Sequence, residues 1–262
     1  MAFPSSLHDA FVLAARAQPE ARLVVHSDVR PEITTLADLF QRGEAVGARF
    51  RELGIGKGDV VAVMLPAWAE WLTALVGAAY AGAVFLPIVT IYKAKDLAFV
   101  LRQSRAKAIV TPDEFRGTDY AALLAACGDL PDLKHHFVAG DSYAALEAGE
   151  PGSDPARVAP EAFSFLVYTS GTTADPKGVM HSGATLLAEL DSQAEARGPV
   201  EEETFLSPWP PGHVAGALQL LRFVAHGTPV VAMDQWNAQE AARLVDTYKI
   251  TASSGTPFHM SG

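Results

Sequence analysis

The sequence contains a single cysteine, Cys127, in 262 residues. One thiol cannot form a disulfide within the chain, and it cannot supply the several thiolates of a zinc–cysteine site. No histidine stands at metal-motif spacing from it, so Cys127 is expected to be a small buried residue. A disulfide-stabilised scaffold and a thiolate metal centre are therefore excluded.

Positive charge is also scarce in this chain. Lys and Arg together number 20 against 30 Asp and Glu, which gives a formal net charge of −10. Proteins that bind nucleic acids concentrate Lys and Arg, so a nucleic acid is not an expected partner. An acidic protein can still bind a nucleotide, because a local cluster of N–H groups outweighs the net charge at short range.

The sequence has no convincing membrane segment. Its N-terminus lacks a basic region followed by an apolar core, so no secretory signal is predicted and a cytoplasmic protein is expected. No residue from Trp71 to Tyr92 is charged, and this stretch is long enough to span a bilayer. Many of its residues are Gly or Ala, however, and Pro87 would interrupt a spanning helix. A buried helix at 66–81 followed by a short strand at 84–86 explains the stretch better.

Helix and strand patterns alternate along the whole chain. The continuous apolar run at 60–65 is typical of a strand that is buried on both faces. Thr35 is predicted to cap a helix that ends before Gly54. Short strands and amphipathic helices then follow one another up to Ser253. This alternation predicts an α/β architecture with mostly parallel sheets.

The densest cluster of hydroxyl side chains follows a predicted strand at 163–167. Residues 168–179 read YTSGTTADPKGV, with four Ser or Thr hydroxyls, two glycines and one lysine. In parallel α/β folds, ligands bind beyond the carboxyl ends of strands, where this stretch is expected to lie. Glycine allows the backbone to approach an anion, and hydroxyls and a mobile lysine can donate to it. Residues 169–177 are therefore a candidate phosphate-binding loop.

Two other interpretations compete with this one. A P-loop needs a glycine before its lysine and a hydroxyl after it, and Pro176 and Gly178 occupy those positions. The next predicted element is also a short segment at 179–180, not a helix whose N-terminus could bind phosphate. An ordinary surface loop has the same richness in Ser, Thr, Gly, Asp and Pro, and composition alone does not exclude it.

The stretch at 168–179 resembles the phosphate-loop signature of the adenylate-forming superfamily, Y/F-T-S-G-S/T-T-G-x-P-K-G-V. This superfamily contains acyl-CoA synthetases, nonribosomal adenylation domains and beetle luciferases. The one clear departure is Ala174 in place of Gly, which affects loop flexibility but removes no chemical group. The resemblance implies that Thr173 serves Mg²⁺ and that Lys177 acts in catalysis. It also implies a set of residues that bind the phosphates of ATP: Thr169, Ser170, Gly171, Thr172, Thr173 and Lys177.

A second stretch, LSPWPPGHVAG at 206–216, resembles the family's next motif, a proline-containing turn followed by H-x-x-G. The resemblance implies that His213 acts in catalysis near the acyl carboxylate, and that Trp209, His213 and Gly216 line a substrate pocket. From the residues alone, a histidine that is hydrogen-bonded locally at a helix start is the favoured interpretation of His213. Two further segments, 53–66 and 229–257, also resemble the family, so the resemblance covers nearly the whole chain.

The resemblance implies an enzyme that activates a carboxylic acid with ATP and Mg²⁺. The acid becomes an acyl-adenylate and then, with coenzyme A as cosubstrate, an acyl-CoA. A medium-chain or cyclohexanecarboxylate-type ligase is the type that this chain resembles most. Two alternatives stay open: an amino-acid-activating adenylation domain, and a non-catalytic fragment that binds nucleotide or a partner.

The Pro-, Gly- and Asp-rich segment 149–160 is the predicted linker between two subdomains. It separates an N-terminal α/β subdomain at 1–160 from a second, loop-containing α/β subdomain at 161–262. Members of the resembled family are about twice as long as a domain of this size. The C-terminal subdomain is therefore expected to be absent, and the chain alone to be inactive. Apolar surface exposed by its absence could pair two copies as a homodimer.

Overall fold

The computed structural model describes residues 6–151, 154–169, 176–198, 203–256 and 259. Within these ranges, helices and strands alternate as the sequence predicts. The helices are α1 (Leu7–Ala17), α2 (Leu36–Glu52), α3 (Ala69–Ala81), α4 (Ala94–Ser104), α5 (Tyr120–Ala125), α6 (Ala144–Glu147), α7 (Gly183–Arg197), α8 (Val214–His226) and α9 (Ala238–Tyr248).

The strands of the described residues are short, and most are buried. They are β1 (Arg22–His26), β2 (Glu32–Thr35), β3 (Val60–Val63), β4 (Val84–Pro87), β5 (Ala106–Thr111), β6 (Glu114–Phe115), β7 (Thr118–Asp119), β8 (His135–Val138), β9 (Phe163–Thr169), β10 (Lys177–Ser182), β11 (Phe205–Ser207), β12 (Val230–Met233) and β13 (Ala252–Ser253).

Two sheets form the frame of the described chain. One is six-stranded in the order β10-β9-β4-β3-β5-β8, and the other is five-stranded in the order β13-β11-β12-β1-β2. Antiparallel pairing occurs at β1–β2 and β9–β10, and every other pair within these two sheets is parallel. A small β6–β7 hairpin lies apart from them. The predicted α/β fold with mostly parallel sheets is confirmed.

Both sheets take strands from each side of the predicted linker. β1 and β2 precede residue 160 and share a sheet with β11, β12 and β13, which follow it. β9 and β10 follow residue 160 and extend the sheet that β3, β4, β5 and β8 build. The division into 1–160 and 161–262 stays a prediction, and it does not coincide with the separation of the two sheets.

Local signals explain where the helices begin and end. Thr35 caps α2 by accepting the backbone N–H of Asp38 at 3.2 Å. The helix ends at Glu52 with Leu53 as its C-cap, and Gly54 follows with a φ of 74°, a left-handed conformation that glycine adopts without strain. The predicted Thr35 cap and Gly54 terminus are both confirmed.

The core lies between the sheets and the helices that cover them. In β3 all four residues are buried, and α3 is buried along nearly its whole length. Cys127 is a free, buried thiol, as predicted. No helix of the described residues has both the length and the apolar character needed to cross a membrane. Most of the charge-free stretch belongs to the core, since α3 and β4 are buried.

Candidate active site

The base of the candidate phosphate loop is a pair of antiparallel strands. β9 lies parallel to β4, with Phe165 opposite Phe85, and it ends at the exposed Thr169. The chain then returns as β10, which places Lys177 directly opposite Thr169. The Thr169 hydroxyl donates to the Lys177 carbonyl at 3.4 Å. The two ends of the loop are thus held side by side at the carboxyl end of a buried strand.

The strand after the loop settles one of the competing interpretations. A P-loop leads into a helix, whereas Lys177 begins β10, so the P-loop interpretation stays excluded. Ser170, Gly171, Thr172 and Thr173 lie outside the described residues, and their assignment to phosphate remains a prediction. The same holds for Thr173 as a magnesium ligand. Within the described ranges, no three His, Cys, Asp or Glu side chains are grouped so that they could hold a metal ion.

Tyr168, the first residue of the motif, is half-buried beside the loop base. Burial raises the pKa of its hydroxyl above the ordinary value of a tyrosine, and the neighbouring Tyr92 raises that pKa further. Burial and Asp96 likewise raise the pKa of Tyr92. Both phenols therefore keep their protons at neutral pH and remain hydrogen-bond donors. Sequence reasoning did not find Tyr92, because it lies far from the motif in the chain.

The second motif forms a tight turn between β11 and α8. Gly212 packs so closely on the backbone after β4 that a Cβ would lie 2.3 Å from the Ile88 carbonyl carbon and from the Val89 nitrogen. β4 and β9 are neighbours in the same sheet. The turn therefore lies near the carboxyl ends of β4 and β9, where the candidate loop begins.

His213 is the N-terminal cap of α8. Its Nδ1 accepts the backbone N–H of Ala215 at 3.2 Å, and its ring is exposed. This local hydrogen bond is the arrangement that the residues alone favoured. The predicted catalytic role and the pocket-lining role are compatible with it, because the other ring nitrogen is not used by the cap.

Trp209 and Gly216 shape the surroundings of His213. The Trp209 ring is half-buried and stacks on the His213 imidazole, with centroids 5.4 Å apart and an interplanar angle of 21°. Gly216 is buried, and a Cβ there would lie 2.3 Å from the Pro210 carbonyl oxygen. The absence of a side chain at Gly216 thus allows the turn to pack on the first turn of α8. The structure brings the three predicted pocket residues together, and their contact with substrate remains a prediction.

A buried amide holds this region together, and sequence reasoning missed it. Gln219 lies on α8 with 4% of its surface exposed. It accepts from the Ser207 hydroxyl at 2.7 Å and donates to the Ser254 hydroxyl, also at 2.7 Å. Trp209 Nε1–H donates to the Ser254 carbonyl at 2.8 Å. The signal available in the sequence was a polar amide among the apolar residues of α8, which also carries Arg222.

Two further rings adjoin Trp209. His259 lies 5.5 Å from Trp209 between ring centroids, and it meets Trp236 edge-on at 5.0 Å. Trp236 follows β12, and His259 follows β13 by several residues. Sequence reasoning did not single out Trp236 or His259, since their proximity depends on the order of strands in the sheet.

Comparison with known proteins gives the fold and the family of this chain. The described chain has the fold of the inhibitor-bound N-terminal domain of FACL13 from Mycobacterium tuberculosis. The TM-score is 0.89 at 24% identity, over 98% of this chain and 64% of that one. Residues 11–261 match the family described as AMP-binding enzyme. The chain belongs to this family, as the resemblance of its motifs predicts.

Several curated relatives are named as CoA ligases. Long-chain-fatty-acid–CoA ligase FadD13 of Mycobacterium tuberculosis (strain ATCC 25618 / H37Rv) is 29% identical over 209 residues, which cover 78% of this chain and 41% of that protein. The 2-hydroxy-7-methoxy-5-methyl-1-naphthoate–CoA ligase of Streptomyces carzinostaticus is 30% identical over 265 residues, 93% of this chain and 47% of that protein. The matched region thus spans less than half the length of either relative.

Proposed function

We propose that the whole protein is an AMP-forming acyl-CoA ligase. The carboxylate of an acid attacks the α-phosphate of ATP, forming an acyl-adenylate and releasing pyrophosphate. The thiol of coenzyme A then attacks the acyl carbon, forms the thioester and releases AMP. The observation that carries the proposal is the loop base, where Thr169 and Lys177, both within the family's phosphate signature, face each other across β9 and β10.

In this proposal, the loop residues neutralise the leaving pyrophosphate. Lys177 provides a mobile cation, while Thr169, Ser170, Thr172 and Thr173 provide hydroxyl donors. Such a transfer depends mainly on positioning and on charge neutralisation. Mg²⁺, proposed to be held with the help of Thr173, supplies further positive charge at the phosphates when it is bound. His213 donates a hydrogen bond to the carboxylate of the acid.

The proposed substrates are hydrophobic carboxylic acids. Trp209, Trp236 and Gly216 are proposed to line a pocket near His213, and the rings of Trp209 and Trp236 both contact His259. The two curated relatives are named for a long-chain fatty acid and for a naphthoate. Each additional methylene that the pocket buries should favour binding by about 0.8 kcal/mol.

Two other predictions from the sequence remain proposals, namely a homodimer and a cytoplasmic location. Among the described residues, β10 is the edge strand of its sheet, and 70% of the Met180 surface is exposed there. Exposed edge strands favour pairing with another chain. Sedimentation velocity would show whether two copies associate.

The product of the reaction tests the proposal. The whole protein should be incubated with ATP, Mg²⁺, coenzyme A and a panel of straight-chain, cyclic and amino acids, and the products identified by mass spectrometry. Acyl-adenylate and acyl-CoA from hydrophobic acids are expected. A preference for amino acids would instead indicate an amino-acid-activating adenylation domain. Nucleotide binding without any adenylate would indicate a non-catalytic module.

A further inference from the structure

Two contacts of different kinds fix the imidazole of His213. Its Nδ1 accepts the backbone N–H of Ala215, and its ring stacks on Trp209. A backbone amide nitrogen is always a donor, so Nδ1 has to be the nitrogen without a proton. The neutral ring is therefore the Nε2–H tautomer, because the hydrogen bond at one ring nitrogen decides which nitrogen carries the proton.

The Nε2–H group is the part of His213 that remains available to donate a hydrogen bond to a ligand. Among the residues that the structure describes, none accepts a hydrogen bond from Nε2, and the His213 side chain is exposed. An N–H group of this kind is a good donor to a carboxylate oxygen, since hydrogen bonds to ionised acceptors are stronger than neutral ones. The helix cap thus leaves a single defined donor for a ligand.

Trp209 is itself held in place from the same helix. Its Nε1–H donates to the Ser254 carbonyl at 2.8 Å, and Gln219 donates to the Ser254 hydroxyl at 2.7 Å. Gln219 lies on α8, the helix that His213 caps. The stacked pair of rings is therefore anchored twice to α8, through the cap at His213 and through Ser254 at Trp209.

We propose that Trp209 is a positioning residue for His213. By stacking on the imidazole while the Ala215 N–H occupies Nδ1, it holds Nε2–H in a fixed orientation for the carboxylate of the acid. The carboxylate partner rests on the proposed function. The tautomer and the stacking are properties of the chain itself and can be measured without activity.

Nuclear magnetic resonance tests the first part. Long-range ¹H–¹⁵N spectra of the labelled chain at about pH 8, where histidine is neutral, show which ring nitrogen carries the proton. His213, assigned with a His213→Gln variant, should be wholly the Nε2–H tautomer, with ring protons shifted by the Trp209 indole. Trp209→Phe should retain much of that shift, and Trp209→Leu should lose it. An Nδ1–H ring, a mixture of tautomers, or unchanged ring-proton shifts in Trp209→Leu would overturn the proposal.

A double-mutant cycle on the whole protein tests the second part. Trp209→Leu should lower the kcat of adenylate formation about ten- to a hundredfold through misplacement of His213, with the KM for ATP unchanged. Trp209→Phe should restore most of the rate. In a His213→Ala background, Trp209→Leu should have little further effect on kcat, because the two residues act as a unit, whereas a contact of Trp209 with the acyl group would change the KM for the acid. Equal losses in both backgrounds would mean that Trp209 acts on the substrate directly, and would contradict the positioning role.

If no adenylate forms with any acid, the proposed function fails, while the spectra still decide the positioning of His213.

Discussion

At the scale of single residues, Gln219 determines how the second motif is held. Its amide joins Ser207 at the end of β11 to Ser254 beyond β13, and Ser207 is completely buried. Buried polar groups are costly when they lose their partners, whereas a satisfied pair contributes only modestly. The Gln219 amide therefore stabilises the fold mainly because it keeps the buried Ser207 hydroxyl from losing its hydrogen-bond partner.

Replacement of this amide should be costly even by a side chain of similar size. Gln219→Leu leaves the Ser207 hydroxyl without its acceptor, and should lower the free energy of unfolding by about 1–3 kcal/mol. Gln219→Glu keeps the acceptor for Ser207 but buries a carboxylate and loses the donor to Ser254, so it should lose at least as much. Gln239→Leu on the exposed face of α9 is the matched control, with an expected change of about 0.5 kcal/mol or less. Urea denaturation measures all three, and equal stabilities of Gln219→Leu and the control would refute the role of the amide.

At the scale of secondary-structure elements, Ser182 connects the loop base to the helix behind it. It ends β10 and caps α7 in a reciprocal arrangement with Thr185. The Ser182 hydroxyl accepts the Thr185 backbone N–H at 3.2 Å, and the Thr185 hydroxyl accepts the Ser182 backbone N–H at 3.0 Å. Ser182, two residues after the exposed Met180, thus fixes the point where β10 ends.

Loss of this cap should loosen the junction between β10 and α7. Ser182→Ala should reduce stability by about 1 kcal/mol and speed amide exchange at Thr185, because that N–H loses its acceptor. Ser182→Asp retains an acceptor and should protect Thr185 nearly as well as Ser. Hydrogen exchange followed by mass spectrometry or NMR is the measurement. Unchanged exchange at Thr185 in the alanine variant would show that the cap is unimportant.

Elements with strong local signals could be predicted from the sequence. The Thr35 cap, the Gly54 terminus and the buried run of β3 each depend on neighbouring residues, and each was predicted close to its observed place. β2, α6 and the β6–β7 hairpin were not predicted, because two- to four-residue elements carry little periodicity. β10 was predicted only as a short segment. Its Val179 and Met180 are both exposed, so the strand is defined by pairing with β9 and not by alternation.

At the scale of the whole molecule, Asp234 links the two sheets. It follows β12 of the five-stranded sheet, and it accepts from the Ser27 hydroxyl and from Trp68 Nε1–H. Trp68 comes after β3 of the six-stranded sheet and is 3% exposed. The sequence could not predict this link, since β1 pairs with β12 from the far end of the chain. For the same reason it could not predict the ring contacts of Trp236 and His259, although the motif residues themselves were identifiable.

Removal of the Asp234 carboxylate should weaken the contact between the sheets. Asp234→Ala leaves the buried Trp68 N–H unpaired and should lower the free energy of unfolding by about 1–3 kcal/mol. Asp234→Asn keeps one acceptor oxygen and should lose less. Chemical denaturation followed by tryptophan fluorescence and by circular dichroism would show the loss. If Asp234→Ala were as stable as the wild type, the hydrogen bonds of Asp234 would contribute nothing to the contact between the sheets.

The central claim is that the loop between Thr169 and Lys177 holds the triphosphate of ATP during acid activation. Carboxylate-dependent ATP–pyrophosphate exchange by the whole protein tests it most directly. Lys177→Ala should lower the exchange rate at least about tenfold, because loss of one preorganised donor typically costs a factor of about 10² to 10³. Lys57→Ala, at an exposed turn before β3, should leave the rate unchanged. An undiminished rate in Lys177→Ala would contradict the account.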